Sequence, residues 1–348
     1  MIIKKNHKLP LDKFIDHCLY DKKSGYYMNY NPFGITGDFT TAPNISRLFS
    51  EMIAIWTISY WKSLGSPKKF NLVELGAGNG EMMKVLVESF KKFPLFINSC
   101  NILIYEKSPK LIKHQKKNIN FKKIKWLPNL KKLDKSPSIF LANEFFDAIP
   151  IKQFLKIKSI WFEKYVYLSK NKKAHFIYKK VDIKKLEKKI KFKISEKQNF
   201  IEYSPLGFKY LKDILKHVRK CNGGLLIIDY GYFDEKMQDT LQAIYKKKFS
   251  KVLENVGKSD ITYNINYYFI KKIAKKFKEL SIDFTSQKNF LTKLGIYQRA
   301  EIISKNKTFS EKSDIFYRLK RLIDKKEMGE LFKVMLIKKS ENNSKIGF

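Results

Sequence analysis

The stretch Asn71-Leu72-Val73-Glu74-Leu75-Gly76-Ala77-Gly78-Asn79-Gly80 is an apolar run that ends in a glycine-rich turn. A helical pattern, Met82 to Phe93, follows at once and stops at Pro94. A strand that passes through such a turn into a helix brings the chain to the carboxyl edge of a parallel sheet. The glycines permit a tight turn and leave the backbone bare, so a ligand can lie against it and face the free N–H groups of the helix.

The same alternation of strand and helix recurs along the chain. Apolar runs at residues 101–105, 138–142 and 225–228 each end in polar residues: Glu106, then Asn143-Glu144, then Asp229. A last strand is predicted at residues 331–337. Strands separated by helices indicate an α/β fold with a parallel, doubly wound, Rossmann-like sheet.

Two stretches depart from this rhythm. Residues 151–180 alternate in the manner of strands, and we interpret the region of about 151–200 as a β-rich insertion. Residues 241–260 are polar and poorly periodic, which predicts a surface loop over about 241–268. We therefore expect an N-terminal helical and loop cap over 1–68 and a sheet domain over 69–348 that carries the insertion and the loop.

The spacing of the glycine turn indicates which cofactor it holds. A dinucleotide site has the pattern GxGxxG, whereas this turn is GxGxG with Glu74 two residues before the first glycine. A carboxylate would repel a pyrophosphate but suits S-adenosylmethionine (SAM), which carries a sulfonium and an ammonium group and no pyrophosphate. Glu106 is placed to accept hydrogen bonds from ribose hydroxyls, and Asn143 borders the same crevice.

The predicted cofactor-binding residues are Glu74, Gly76, Ala77, Gly78, Gly80, Glu106 and Asn143. The plain alternative is a glycine turn that only connects a strand to a helix. Three polar strand ends beside the turn favour the cofactor over that alternative.

The charge of the chain is strongly basic, with a formal net charge of +38. Only five of the 71 basic residues are arginine, namely Arg47, Arg219, Arg299, Arg318 and Arg321. Sites that read phosphates or bases normally use the bidentate fork of arginine. We interpret the lysine excess as a solvated surface and expect no specific nucleic-acid partner.

Location and metal content are read from simpler features. The N-terminus Met1-Ile2-Ile3-Lys4-Lys5 lacks the apolar stretch of a signal peptide, and no apolar run approaches the length of a membrane span. Three scattered cysteines fit a reducing compartment, and the five histidines form no cluster in sequence. We expect a cytoplasmic protein without a metal site.

Several blocks together resemble the MidA-like family of class I methyltransferases, and the resemblance covers nearly the whole chain. The blocks, in family order, are Gly37-Asp38-Phe39-Thr40-Thr41-Ala42-Pro43, Glu74 to Gly80, Asn143-Glu144-Phe145-Phe146-Asp147-Ala148-Ile149-Pro150-Ile151, Ile228 to Gly231, Asp239 to Ala243, Phe290 to Ile296 and Met328 to Met335. The resemblance implies a class I methyltransferase sheet with an antiparallel C-terminal strand. It also implies SAM-dependent N-methylation of a protein, with arginine of a respiratory complex I subunit as the acceptor in the mitochondrial branch.

Methyl transfer to a guanidinium requires carboxylates that hold the acceptor and orient its lone pair. Glu144 and Asp147 are the candidates, with Asp38 closing over the methionine end of the cofactor. The alternatives are that Asp147 caps a turn before Pro150 and that Asp38 forms an N-cap or Asx-turn. Asp229 and Tyr230 either line the acceptor side or serve only in strand-end hydrogen bonds.

Three functions remain open at the level of sequence. The first is a protein arginine methyltransferase, the second a SAM-dependent methyltransferase of a small molecule or nucleic acid, and the third a SAM-binding assembly factor without turnover. Asn264 and Asn266 stand where the family usually has a histidine and an aspartate, and Lys288 replaces a glycine, which keeps the third open. A homodimer is left open as well.

Overall fold

The computed structural model describes residues 8–30, 41–169 and 173–348. The strands are β1 (Lys8–Pro10), β2 (Phe70–Leu75), β3 (Cys100–Tyr105), β4 (Lys125–Leu127), β5 (Ser138–Asn143), β6 (Lys152–Ile157), β7 (Ile160–Leu168), β8 (Ala174–Val181), β9 (Phe200–Tyr203), β10 (Gly223–Tyr232), β11 (Gln242–Tyr245), β12 (Lys248–Ser250), β13 (Asp260–Thr262), β14 (Ile265–Asn266), β15 (Leu280–Ser286) and β16 (Phe332–Lys339). The helices are α1 (Leu11–Tyr20), α2 (Tyr26–Asn29), α3 (Ala42–Ile45), α4 (Arg47–Ser63), α5 (Glu81–Phe90), α6 (Pro94–Ser99), α7 (Pro109–Asn118), α8 (Ile183–Ile190), α9 (Pro205–Cys221), α10 (Tyr267–Ala274), α11 (Gln287–Lys293), α12 (Ile296–Ser304), α13 (Phe309–Ile323) and α14 (Met328–Leu331).

The main sheet has the order β4-β3-β2-β5-β10-β16-β15, with β14 paired to the end of β10. The strands from β4 to β10 run parallel, whereas β16 lies antiparallel between β10 and β15. This confirms the predicted fold class, including the antiparallel C-terminal strand. The carboxyl ends of β2, β3 and β5 therefore lie side by side, which is where an open parallel sheet binds its ligand.

The core fills both faces of this sheet, because central parallel strands are covered by helices on each side. Every residue of β2 is buried. Val73 and Leu75 face one apolar cluster, which includes α1, α9 and the insertion. Leu72, which precedes Val73 and points to the opposite face, belongs to the other cluster, to which α4, α5 and α13 contribute.

A second antiparallel sheet confirms the predicted β-rich insertion. Strands β6, β7 and β8 pair in sequence, and β9 pairs with β6. The sheet also includes β1, whose Lys8–Pro10 pairs with β7. The N-terminal region is thus not purely helical, because its first described residues complete the sheet of the insertion. The boundary at residue 68 stays a prediction.

The prediction of a surface loop over about 241–268 is wrong, because this segment forms a small antiparallel sheet with the order β12-β11-β13. Ala243 of β11 pairs with Ile261 of β13, and both side chains are buried. Strands of three or four residues offer only one or two inward positions, so the sequence shows no period there. The segment ends in β14 and the start of α10.

The start of β10 requires glycine for a reason that sequence alone does not give. Gly223 has a φ of +113°, and a Cβ atom there would lie 1.9 Å from the carbonyl oxygen of Ser138 on β5. Gly65, after α4, also has a positive φ of +83°, but a Cβ atom there would meet nothing within 4 Å. A side chain at either position would adopt an unfavourable backbone conformation, but only at Gly223 would it also collide with neighbouring atoms.

We expect Gly223→Ala to lower the free energy of unfolding by about 3 to 5 kcal/mol, because strain is added to a clash with backbone. Gly65→Ala, the matched control, should cost only about 1 to 2 kcal/mol for its left-handed conformation. Urea unfolding followed by circular dichroism measures both values. Equal losses in the two variants would contradict the structural reason given for Gly223.

Candidate active site

A cleft of about 860 Å³ opens where the carboxyl ends of β2, β3 and β5 meet. The lining residues are Tyr20, Tyr27, Thr41, Gly76, Gly78, Tyr105, Glu106, Lys107, Leu111, Glu144, Phe145, Asp147, Ala148, Ile149, Pro150, Leu206, Tyr210 and Asp260. A smaller adjoining space of about 370 Å³ shares Thr41, Gly76, Gly78 and Glu144 with the cleft and adds Glu74, Ala77, Asn79 and Asn143.

The glycine turn is held in a conformation that requires glycine. Gly76, Gly78 and Gly80 have φ values of +67°, +54° and +84°. A Cβ atom at Gly80 would lie 3.0 Å from Cδ1 of Ile119, and one at Gly76 would lie 3.0 Å from Cδ2 of Phe145. Neighbouring side chains therefore pack directly against the turn, and a side chain there would push them away.

Glu74 lies at the end of β2 and is almost completely buried. Within the described residues, its Oε2 atom has no hydrogen-bond partner. Burial raises the pKa of Glu74 to about 8, and the charge of Glu106 adds to the rise. A buried carboxyl oxygen without a partner is unfavourable unless a cation or a donor reaches it. This environment fits a ligand with an ammonium or sulfonium group.

Glu106 lies one residue beyond β3, where the sequence analysis placed it. One carboxylate oxygen accepts a hydrogen bond from the backbone N–H of Ser108 at 2.9 Å, and the other accepts from Nε2 of Gln115 at 3.1 Å. The same Gln115 amide donates to the carbonyl oxygen of Gly78 at 2.9 Å. Burial raises the pKa of Glu106, although these hydrogen bonds oppose the shift. Gln115 thus fixes Glu106 relative to the glycine turn.

Asn143 is the last residue of β5 and Glu144 follows it, and both line the smaller space. Glu144 adopts a left-handed φ of +47°, which is strained for a residue with a side chain. Its Oε1 atom accepts hydrogen bonds from Nδ2 of Asn143 at 3.3 Å and from the backbone N–H of Ala42 at 3.4 Å. Burial raises the pKa of Glu144 to about 8, and the nearby charge of Asp147 adds to it.

Asp147 is buried in the cleft wall and is not merely a turn cap. Its Oδ2 atom accepts a short hydrogen bond from the hydroxyl of Tyr230, whereas Oδ1 has no partner among the residues that the structure describes. Burial raises the pKa of Asp147 to about 6, opposed by the bond from Tyr230. Asp229 is fully buried behind it, and burial together with the charge of Asp147 raises the pKa of Asp229 well above its usual range. Asp229 and Tyr230 therefore support the cleft from behind and do not line it.

The structure adds a wall that the sequence analysis missed. Asp260, at the start of β13, lines the cleft, and each of its oxygens lies 2.9 Å from the hydroxyl of Tyr27, which donates to them. Tyr20, Tyr105 and Tyr210 also line the cleft. Of these residues, Tyr105 stands in a strand that the sequence predicts, next to Glu106, whereas Asp260 lies in the segment predicted as a loop.

The remaining residues that the sequence singled out are Asp38, Asn264 and Asn266. Asp38 is outside the described residues. Asn266 caps α10, where its Oδ1 accepts from the backbone N–H of Phe269 at 2.8 Å. Asn264 and Asn266 line a separate cavity of about 510 Å³ on the other side of Phe146. The departures from the family pattern therefore do not touch the cleft.

The fold and the cleft together define a class I methyltransferase site, and the similarity to known proteins agrees with this. Residues 52–284 match the family described as S-adenosyl-L-methionine-dependent methyltransferases. The chain belongs to this family. It is a SAM-dependent methyltransferase, and SAM is its cofactor.

Individual relatives extend over nearly the whole chain. The mitochondrial protein arginine methyltransferase NDUFAF7 of Xenopus tropicalis is 26% identical over 356 residues, which cover 95% of this chain and 82% of that protein. Its Homo sapiens counterpart is 26% identical and covers 95% and 80%. A COG1565 superfamily protein of Burkholderia thailandensis, crystallised with S-adenosyl-homocysteine, superposes with a TM-score of 0.82 at 20% identity, covering 98% of this chain and 90% of that one.

We expect the affinity for SAM to rise with pH up to about 8, because Glu74 must lose a proton to become the carboxylate that a cation favours. One released proton strengthens binding by at most about tenfold per pH unit below the pKa, and the gain ends above it. Titration calorimetry between pH 6.5 and 9, in buffers of different ionisation enthalpy, gives both the affinity and the number of protons released.

Glu74→Gln is the control, since it keeps the shape and removes the titration. Its affinity should depend less on pH than that of the parent protein. An unchanged pH dependence in Glu74→Gln, or an affinity that falls between pH 6.5 and 8, would show that Glu74 does not face the cationic group.

Proposed function

We propose that this methyltransferase acts on arginine side chains of a protein substrate, and that the substrate is a subunit of a respiratory complex. The observation that carries the proposal is the set of carboxyl groups that line the cleft beside the glycine turn: Glu106, Glu144, Asp147 and Asp260. The named relatives, which are protein arginine methyltransferases, support the same acceptor.

The charge of the cleft is opposite to that of the chain. The chain has a formal net charge of +38, yet Lys107 is the one basic residue among the described residues that line the cleft. An acidic pocket in a basic protein favours a cationic acceptor over a phosphate-bearing one. A guanidinium suits it best, because its planar fork can donate to two carboxylates at once.

The carboxyl groups divide into two sets by position. Glu74 lies in β2 just before the glycine turn and Glu106 follows the neighbouring strand β3, so we assign both to the cofactor. Asp147 and Asp260 line the cleft but not the smaller adjoining space, and we assign them to the acceptor. Glu144 borders both spaces and would stand next to the transferred methyl group.

The chemistry is a displacement that the protein must align. SAM supplies an electrophilic methyl group on a sulfonium, which departs as a neutral thioether. A guanidinium nitrogen forms the new bond to carbon as the carbon–sulfur bond breaks, and the nitrogen then releases one proton. Glu144 and Asp147 are the acceptors for that proton, since burial has raised the pKa of each above that of an ordinary carboxyl.

The tyrosine side chains that line the cleft also have a role in this proposal. The hydroxyls of Tyr105 and Tyr210 lie 2.6 Å apart, and the rings of Tyr20 and Tyr27 stack with centroids separated by 5.5 Å. Rings of this kind exclude water from the cleft and offer faces on which a guanidinium can stack. A dry cleft strengthens the pairing between a guanidinium and the carboxylates.

We expect transfer of radiolabel from SAM to methylarginine in a protein when the enzyme is incubated with lysate of a strain that lacks it. The labelled band should co-migrate with a respiratory complex, and amino-acid analysis of that band identifies the acceptor. Gly78→Val, which places a branched side chain on the cofactor face, is the control that should remove both SAM binding and label.

Other outcomes would point to the remaining functions. Label in nucleic acid or in small molecules would contradict the protein acceptor. SAM binding by calorimetry without label in any fraction would favour an assembly factor without turnover. Label in methylarginine of a protein outside the respiratory complexes would retain the reaction and overturn the assigned substrate.

We expect Glu144→Gln and Asp147→Asn each to lower kcat by about 10² to 10⁴-fold, because each removes a proton acceptor. Asp260→Asn should instead raise KM for the arginine substrate about tenfold, since it removes one charge that holds the acceptor. Steady-state kinetics with an arginine-containing peptide as substrate, followed by the amount of methylated peptide formed, give kcat and KM separately.

Glu202→Gln is a matched control for these variants. Glu202 is also buried, and burial raises its pKa to about 7, but it lines the separate cavity behind Phe146. Its kcat and KM should stay within about twofold of the parent values. If the kcat of Glu202→Gln falls as far as that of Glu144→Gln, the loss would come from replacing any buried carboxyl group and not from removing a proton acceptor in the cleft.

A further inference from the structure

The few arginines of this chain are not spread evenly. Only five of the 71 basic residues are arginine, yet Arg47, Arg299 and Arg318 line the same open cavity. Lysine does not occur among the described residues that line it. In a chain where lysine is used almost everywhere else, this indicates a place where an ammonium cannot replace a guanidinium.

The contacts of two of these arginines explain the requirement. Arg299 on α12 donates from Nε and Nη2 to the two oxygens of Glu51 on α4, at 2.8 and 3.1 Å. Arg47, at the start of α4, donates from Nε to Glu51 at 3.0 Å and places Nη1 2.7 Å from Glu88 on α5. Each guanidinium spans two acceptor atoms in fixed directions, which a single ammonium group does not do.

Arg318 makes the third connection, from α13 to the end of α3. Its Nε donates to Asp314 at 2.7 Å, and its Nη1 donates to the carbonyl oxygen of Ile45 at 3.0 Å. Ile45 is the last residue of α3, so its carbonyl is one of the groups that a helix leaves without an internal partner. A guanidinium fits there because it pairs with a carboxylate and a carbonyl together.

The charges in the cavity argue against a site for an external anion. The three guanidiniums face Glu51, Glu88 and Asp314, so they are already neutralised. Hydrogen bonds from Arg299 and Arg47 lower the pKa of Glu51 even though its burial acts in the opposite direction. The arginines therefore bind the protein to itself and hold α3 and the start of α4 against α5, α12 and α13.

The segment that they hold is one wall of the active site. Thr41, Pro43 and Asn44 line the space beside the glycine turn. Oδ1 of Asn44 accepts a hydrogen bond from Nδ2 of Asn79, inside the turn, at 2.8 Å. Two residues before Asn44, the backbone N–H of Ala42 donates to Oε1 of Glu144 at 3.4 Å. Any displacement of residues 41–48 would therefore alter the contacts of the glycine turn and of Glu144.

We propose that Arg47, Arg299 and Arg318 form an arginine clamp that positions residues 41–48 against the glycine turn and thereby sets the affinity for SAM. The three act through this segment and are positioning residues, because the structure places none of them in the cleft lining. The proposal concerns the cofactor side only and is independent of the identity of the methyl acceptor.

The test compares arginine-to-lysine changes inside and outside the clamp. Arg299→Lys and Arg318→Lys keep the positive charge and lose the paired N–H donors of the guanidinium. The controls make the same change outside the clamp: Arg321→Lys on α13, three residues beyond Arg318, and Arg219→Lys on α9. Titration calorimetry with SAM should give a Kd raised about tenfold in each clamp variant. The two controls should stay within about twofold.

Amide hydrogen exchange gives a readout that a merely structural role would not move. In the clamp variants, the backbone N–H groups of residues 42 and 44–49 should exchange faster in the free protein and recover their protection in saturating SAM. A lower melting temperature with an unchanged Kd would overturn the proposal, and so would equal weakening of binding in the Arg321→Lys control. Should Arg299→Lys fail to fold, Arg318→Lys decides, since its side chain is half-exposed and its loss opens no cavity in the core.

Discussion

The cost of removing carboxyl groups from water governs the carboxyl edge of this sheet. Glu74, Glu144 and Asp147 are surrounded there by acidic, aromatic and apolar groups, and burial raises the pKa of each. Such a group is destabilising unless it stays protonated or a cation reaches it. Several buried carboxyl groups around one cleft destabilise this part of the ligand-free protein. They therefore favour the binding of ligands with positive charge. SAM is such a ligand, and a guanidinium would be another.

The groups behind the cleft keep this arrangement fixed. Tyr230 donates to one oxygen of Asp147, and Gln115 connects Glu106 to the glycine turn. Arg299 on α12 and Arg318 on α13 bond to α4 and to the end of α3, next to the residues that line the space beside the turn. A site that aligns two reactants for displacement needs such support, because small displacements of the reacting groups reduce the rate strongly. Lysine side chains on the solvated surface do not need such fixed positions.

Sequence patterns predicted those parts of the site that depend on local structure. The run from Asn71 to Gly80 has a strand, a turn and a helix start within a few residues, so its period and its glycines are both visible. Asp260 and Tyr27 could not be found in this way, because they are 233 positions apart and meet only through the packing of α1 and α2 against the small sheet. The strands of that sheet are too short to show a period, so the segment was interpreted as a loop.

The sequence by itself determined the alternation of the central strands with helices, the glycine turn and the polar residue at the end of each central strand. These follow from local backbone requirements and from burial on both faces of a parallel sheet. Only the tertiary structure decided which carboxyl groups share the cleft, which of them lack a partner, and that Asn266 caps a helix away from it. Desolvation and long-range pairing depend on neighbours from distant parts of the chain, and no local pattern contains them.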